Sequence, residues 1–181
     1  MATGLANKLT AHIGEYLACA ELGRRGLIAT SFTGNVPGYD LLVCNRDLQA
    51  VPVQVKTSRG TAWPSHADLW LNIEIDDVTK KQINQGPRAI ENPDLIYICI
   101  ALGASGVRDR FFICEQSDIQ TACITTYTRW MEPKGWVRPK NYKSLDNRYG
   151  IEELKQFENN WALVERRLAG KLVAPEPDAP M

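Results

Sequence analysis

Four side chains in this sequence are of types that together do phosphate chemistry. Asp40 follows Gly38-Tyr39, Gln54 and Lys56 lie in the run Val53-Gln54-Val55-Lys56, and Glu15 follows Gly14 in an N-terminal segment. Mg²⁺ takes oxygen ligands, commonly one or two carboxylates with waters and substrate phosphate. Asp40 offers a carboxylate, Gln54 an amide oxygen, Val55 a backbone carbonyl and Glu15 a second acid. A metal held there would activate a water and neutralise charge on a phosphate. Lys56 would stabilise a pentavalent transition state or orient the attacking water. The chemistry such a set suits is phosphodiester cleavage. Gln carries no charge, so this set holds a metal more weakly than one with Glu at position 54.

These residues act together only if the elements carrying them bring them to one place. Tyr39 to Cys44 and Ala50 to Thr57 read as strands joined by a polar turn around Asn45-Arg46-Asp47. A hairpin symmetric about Asp47 puts Asp40 opposite Gln54. Period-two alternation then puts Lys56 on the face of Gln54, and Leu41, Val43, Val53 and Val55 on the other, toward a core. A slip of one residue would bury Asp40 among apolar groups. Residues 5 to 25 read as a helix ended by Gly26, with Leu5, Leu9, Ile13, Leu17 and Ala20 as its apolar stripe. Glu15 lies off that stripe, near Ala11, Ala18 and Leu22. That second face packs toward the sheet and aims Glu15 at the metal, or it faces water. Asp40 has a plainer reading as the cap of the loop after Pro37-Gly38, and Gln54 and Lys56 as the solvated face of a strand.

The rest of the chain predicts a mixed α/β domain. Leu27 to Thr33 and Leu69 to Ile73 read as strands, with a turn-rich loop over Gly34 to Gly38. Asp76 or Asp77 would cap a short helix reaching Ile83. Asp94 to Leu102 is a nearly continuous apolar run, as in a strand buried on both faces. Arg110 to Cys114 would pair with it, and Ser117-Asp118 would start a helix to about Trp130. Residues 132 to 150 read as irregular. A final helix is expected over Ile151 to Ala169, its stripe Leu154, Phe157, Trp161, Val164 and Leu168 docked on its own domain, or serving as a homodimer seam. The expected division is a core over 1–131, a connector and C-terminal helix over 132–172, and a disordered tail over 173–181.

Length and composition set the bounds. At 181 residues one core can form, burying roughly 70% of the unfolded chain's surface. Hydrophobic and charged fractions of 44% and 23% are those of a globular protein. Formal net charge is +0, so nucleic-acid contact requires a local basic patch, which argues against a histone-like coat. The five cysteines include no C-x-x-C pair and mostly sit in apolar runs. They read as buried free thiols of a reducing cytosol, consistent with a cytoplasmic protein. No apolar run approaches the roughly 18 residues of a membrane span, and the N-terminus lacks the pattern of a secretion signal.

The spacing of the motifs resembles the PD-(D/E)xK nuclease superfamily, over roughly residues 9 to 115. Gly14-Glu15-x-x-Ala18-x-x-x-Leu22-x-x-x-Gly26 is similar to its first helix, Asp40 to its central Asp, and Gln54-Val55-Lys56 to its E-x-K element, with Gln for Glu. The run Gln54 to Ser58, with Trp63 after it and an apolar strand farther on, most resembles uncharacterised bacterial members. The resemblance implies a restriction-endonuclease-like mixed β-sheet flanked by helices, with a C-terminal helical appendage. It also implies a Mg²⁺-dependent (or Mn²⁺-dependent) DNA endonuclease in which Asp40, Gln54, Val55 and Glu15 serve the metal and Lys56 the reaction. The alternatives are a non-catalytic nucleic-acid-binding module, motivated by Gln54, and an interaction protein in which the motif is a surface charge cluster.

Near the motif, Arg59, Lys80, Lys81 and Arg88 are candidates for nucleic-acid contact. A second basic group, Lys134, Arg138, Lys140, Lys143 and Arg148, alternates with Trp136, Tyr142 and Tyr149. It suits phosphate contact and stacking, or is a connector whose aromatics pack on the body. His12 and His66 have no surrounding motif for zinc or for nucleophile activation. Trp130, Trp136 and Trp161 read as core or interface.

Overall fold

A computed structural model of the chain describes residues 3–32 and 38–170. The elements run α1 (Thr3–Arg24), β1 (Ile28–Ser31), β2 (Leu41–Cys44), β3 (Ala50–Ser58), β4 (Ala62–His66), β5 (Leu71–Ile75), β6 (Gln82–Pro87), β7 (Ile96–Ala101), β8 (Arg110–Glu115), α2 (Gln116–Met131), β9 (Asp146–Gly150), α3 (Ile151–Leu154) and α4 (Ala162–Ala169). The expected loop over 34–37 and the tail 173–181 lie outside the described residues.

A five-stranded mixed sheet, ordered β1-β2-β3-β7-β8, forms the centre. Its β3–β7 pair is parallel and the others are antiparallel. The apolar run at β7 is buried at every position, as expected of a strand covered on both faces. Ile96, Ile98 and Ile100 face a core shared with Ala18 and Leu22 of α1 and Val164 and Leu168 of α4. Tyr97, Cys99 and Ala101 face a second core with Trp63, Ile119 of α2 and Tyr149. Helices on one face, and a helix with the small β4–β9 sheet on the other, make a layered α/β domain. Among the described residues no helix is long and apolar enough to cross a membrane.

The β2–β3 register is the one the alternation requires. Leu41 pairs with Val53, Leu42 with Pro52 and Val43 with Val51. Leu41, Val43, Val51 and Val53 are fully buried. The turn is closed by Asn45 Oδ1, which accepts from Asp47 N and Gln49 N, each at 3.0 Å.

Four sequence expectations change. First, the buried face of α1 is Gly14, Ala18 and Leu22, whereas Leu5 and Leu9 are 72% and 51% exposed. Small residues win because α1 lies close against β3. Second, no helix follows Asp76. Its Oδ1 accepts from Val78 N and Thr79 N, Lys80 reverses the chain at φ 60, and β5 and β6 pair as a hairpin. Third, the 132–150 stretch contains β9, paired antiparallel with β4 and held by Tyr149 stacked on Trp63 at 5.7 Å.

Fourth, the final helix is interrupted. Glu158 is extended and Asn159 has φ 56. Glu158 grips Arg110 of β8 with two bonds of 2.7 Å, and Asn159 N donates to Phe111 O at 2.8 Å. The break covers the outer edge of β8 and splits the expected stripe. Leu154 enters the core with Trp63, and Trp161, Val164 and Leu168 enter the core with α1. This stripe is therefore covered within the chain.

Candidate active site

Asp40 stands one residue before β2. Its N–H donates to Val53 O at 2.9 Å, which fixes it opposite Gln54. Asp40 Oδ2 accepts from Gln54 Nε2 and from Val55 N, the latter at 2.8 Å. Beyond Asp40 the two strands part, because β2 begins at Leu41 while β3 continues to Ser58. Successive residues of a strand turn their peptide groups to alternate edges. Val53 O faces β2, so Val55 faces the same way, its N–H on Asp40 and its carbonyl in the fork.

Lys56 lies on the Gln54 face, opposite Cys99 of β7, and is exposed with no carboxylate partner among the described residues. Burial pushes the Cys99 thiol up to about 12, while the nearby Lys56 charge pulls the other way. Burial likewise pushes Tyr97, opposite Gln54, up to about 12, with Asp40 adding a smaller contribution.

Glu15, on the same side of α1 as Gly14, lies near enough to Asp40 for their charges to interact. Burial raises its carboxyl above the usual range, the Asp40 charge raises it further, and His12 opposes them. Neighbouring carboxyls disfavour each other's ionised form, so one of them is held above its ordinary range. Gly14 makes the approach possible. A Cβ built on it would lie 1.7 Å from Thr57 Oγ1, so any side chain there would hold the helix off β3. Sequence reasoning left Glu15 facing either the sheet or water and assigned no packing role to Gly14; a glycine in mid-helix was the available signal.

The oxygens this part of the fold offers are the Asp40 and Glu15 carboxyls and the Val55 carbonyl, while the Gln54 amide turns its nitrogen to Asp40. Among the described residues no group of three or more His, Cys, Asp or Glu could hold a metal. Oxygen donors of this kind suit a hard cation that keeps several waters, as Mg²⁺ does, better than zinc, which takes His and Cys. The Gln54 amide presents Nε2 to Asp40, so offering Oε1 to a cation there takes a half-turn of the amide.

The basic candidates divide. Arg59 is exposed just past β3, its Nε donating to Thr10 Oγ1 of α1 at 3.0 Å. Lys80, Lys81 and Arg88 lie on or beside the separate β5–β6 hairpin, and the structure does not gather them at Asp40. In the second basic group Tyr149 is buried, Trp136 packs against Tyr127, and Lys143 pairs with Asp77 at 2.9 Å. Those aromatics belong to the body. His66 faces Asp146 at 3.9 Å, and all five cysteines are free, three of them buried.

No protein-family model matches the chain, and no curated protein does. One solved structure is similar: a bacterial homing endonuclease, I-Ssp6803I, at a TM-score of 0.54 and 10% sequence identity, covering 92% of this chain and 98% of that one. At that identity the likeness is one of fold. The mixed α/β architecture found here is shared with that structure.

Proposed function

We propose that the chain is a metal-dependent DNA endonuclease that hydrolyses phosphodiester bonds, using Mg²⁺ with Mn²⁺ as a substitute. The observation that carries this reading is Asp40 joined to the Gln54 amide and the Val55 N–H where β2 and β3 part, with Lys56 on the Gln54 face. The likeness to a homing endonuclease supports it at the level of fold. Asp40, Gln54, Val55 and Glu15 would hold the cation, which when bound supplies charge neutralisation and a water of lowered pKa. Lys56 would place its ammonium on the scissile phosphate as charge builds there. Arg59, anchored to Thr10, would hold a neighbouring phosphate, and Lys80, Lys81 and Arg88 would meet DNA farther from the fork.

A second reading has its own observation. The Gln54 amide satisfies Asp40 as a neutral donor, so the fork is stable without a cation, as expected of a DNA-binding module that has lost the reaction. The deciding experiment is cleavage of plasmid, linear, single-stranded and branched DNA by wild type and Lys56→Ala, with Mg²⁺ and then Mn²⁺. Metal-dependent cutting lost in the variant is the expected result. Equal cutting by both proteins removes Lys56 from the reaction. Absence of cutting on every substrate, with DNA binding kept, selects the second reading.

A further inference from the structure

Four arginines, three from β8, α2 and β9 and one from the stretch before β9, meet in one groove of about 1070 Å³ between the second half of α2 and the β4–β9 sheet: Arg110, Arg129, Arg138 and Arg148. Two are internally neutralised, Arg110 by Glu158 at 2.7 Å and Arg129 by Glu153 at 3.0 Å. Two of the groove's three acids are paired with cations, and the third, Asp146, meets only a hydroxyl and an imidazole among the described residues. Glu153 holds Arg129, Glu152 meets Lys155 at 3.5 Å, and Asp146 accepts from Ser144 Oγ at 2.8 Å and faces His66.

Arg138, Arg148 and the neighbouring Lys134 outnumber Asp146, so the balance of the groove is positive. Arg148 is exposed and has no carboxylate partner among the described residues. Arg138 donates to the Asp146 carbonyl and lies 4.6 Å from the Trp130 ring centroid. Lys134 lies 4.0 Å from the same centroid. Trp130 is 41% exposed, but its ring already carries two cations. It therefore holds charge at the rim.

The groove lies on the catalytic side of the central sheet. Tyr149, on its floor, reaches Cys99 Sγ at 3.6 Å, and Cys99 stands opposite Lys56. From Lys56 the chain reaches the groove-lining Thr61 within at most roughly 18 Å. The tight turn closed by Ser58 Oγ on Ala62 O shortens that path. At about 3.4 Å of helix axis per phosphate on each strand, the groove begins within roughly five base steps of the fork.

We propose that this groove is a phosphate-backbone track for duplex DNA flanking the cleavage position, formed by Arg148, Arg138 and Lys134 and indifferent to base sequence. It rests on the nucleic-acid reading above and adds a contact surface separate from the fork. The test is binding of the full chain to a labelled duplex, by fluorescence anisotropy in chelator, across a salt series and on two unrelated sequences. The double reversal Lys134→Glu/Arg148→Glu, both positions being exposed, is expected to bind at least tenfold more weakly on both sequences. Because its slope of log affinity against log salt loses about 0.9 per phosphate contact, the slope should be shallower by about 2. Should the double variant fail to fold, Arg148→Ala carries the test, with a slope shallower by about 1.

Unchanged affinity and slope in the variants, with wild type still binding duplex, overturn the track and leave the nuclease reading standing. A loss confined to one sequence also overturns it. Failure of wild type to bind or cut any DNA overturns both readings.

Discussion

Gly14 lies so close over Thr57 that a single added carbon would overlap the threonine, 1.7 Å from Oγ1 and 2.8 Å from its Cβ. The contact joins α1 to the stretch of β3 just past Gln54 and Lys56, and it sets how near Glu15 comes to Asp40. Thr57 Oγ1 is buried beneath the helix with no hydrogen-bond partner among the described residues. That is a cost accepted at the point of closest approach.

Gly14→Ala should therefore uncouple fold from site. Turning Thr57 about χ1 moves Oγ1 but not its Cβ, so the helix must lift. Overpacking of this kind costs about 1–3 kcal/mol, partly offset because Ala favours the helix by up to about 1 kcal/mol. A lower urea midpoint, with cleavage falling more than stability accounts for, is the expected pair of results. Thr57→Ala should restore part of both in the double variant, and additivity of the two changes would show that they do not interact.

Gln54→Glu places a third carboxyl beside Asp40 and removes the amide that Asp40 now accepts from. Without metal the fork then holds like charges, and the melting temperature should fall. Metal affinity should rise by roughly tenfold, because ligand charge tunes hard-cation sites. Calorimetric titration with Mg²⁺ and melting with and without the ion check both halves. A variant no tighter than wild type would place the cation elsewhere.

The hairpin holding Asp40 opposite Gln54 was legible in the sequence because its register is local: a symmetric turn and alternating apolar positions leave one arrangement that buries Leu41, Val43, Val51 and Val53. The double burial of β7 was legible for the same reason. The orientation of α1 was not. Leu5, Leu9 and Ile13 make the more apolar stripe, but Gly14 and Ala18 let the helix come closer to β3, and close approach depends on the partner surface. The break in the last helix depends on Glu158 finding Arg110, 48 positions away, and no local pattern encodes such a pairing.

Glu15 should leave a mark on stability against pH. Its folded pKa is raised, by burial first and the Asp40 charge second. A group raised on folding binds its proton more tightly in the native state, so its contribution is fully present below its unfolded value and is lost as pH rises through the folded one. In chelator, wild type should lose stability relative to Glu15→Gln as pH climbs from the ordinary carboxylate range toward neutrality. Taking the difference between the two proteins removes Glu21 and Glu158, whose lowered values act with the opposite sign. Parallel urea-midpoint curves for the two proteins would mean that Glu15 is solvated and not at the fork.

The reversal at Asn159 is the last point at which one residue decides a larger arrangement. Its φ of 56 lies in the left-handed region, which Gly and Asn adopt readily and a β-branched residue does not. Asn159→Gly should be close to neutral, and Asn159→Val should cost about 2 kcal/mol. The damage should be directional. If residue 159 is driven toward helical geometry, its N–H leaves Phe111 O and Glu158 leaves Arg110, which opens the edge of β8. Faster amide exchange along β8, with β2 and β3 unaffected, is the expected signature of Asn159→Val. Valine tolerated with no change in stability or exchange would show that the edge is closed by something other than this turn.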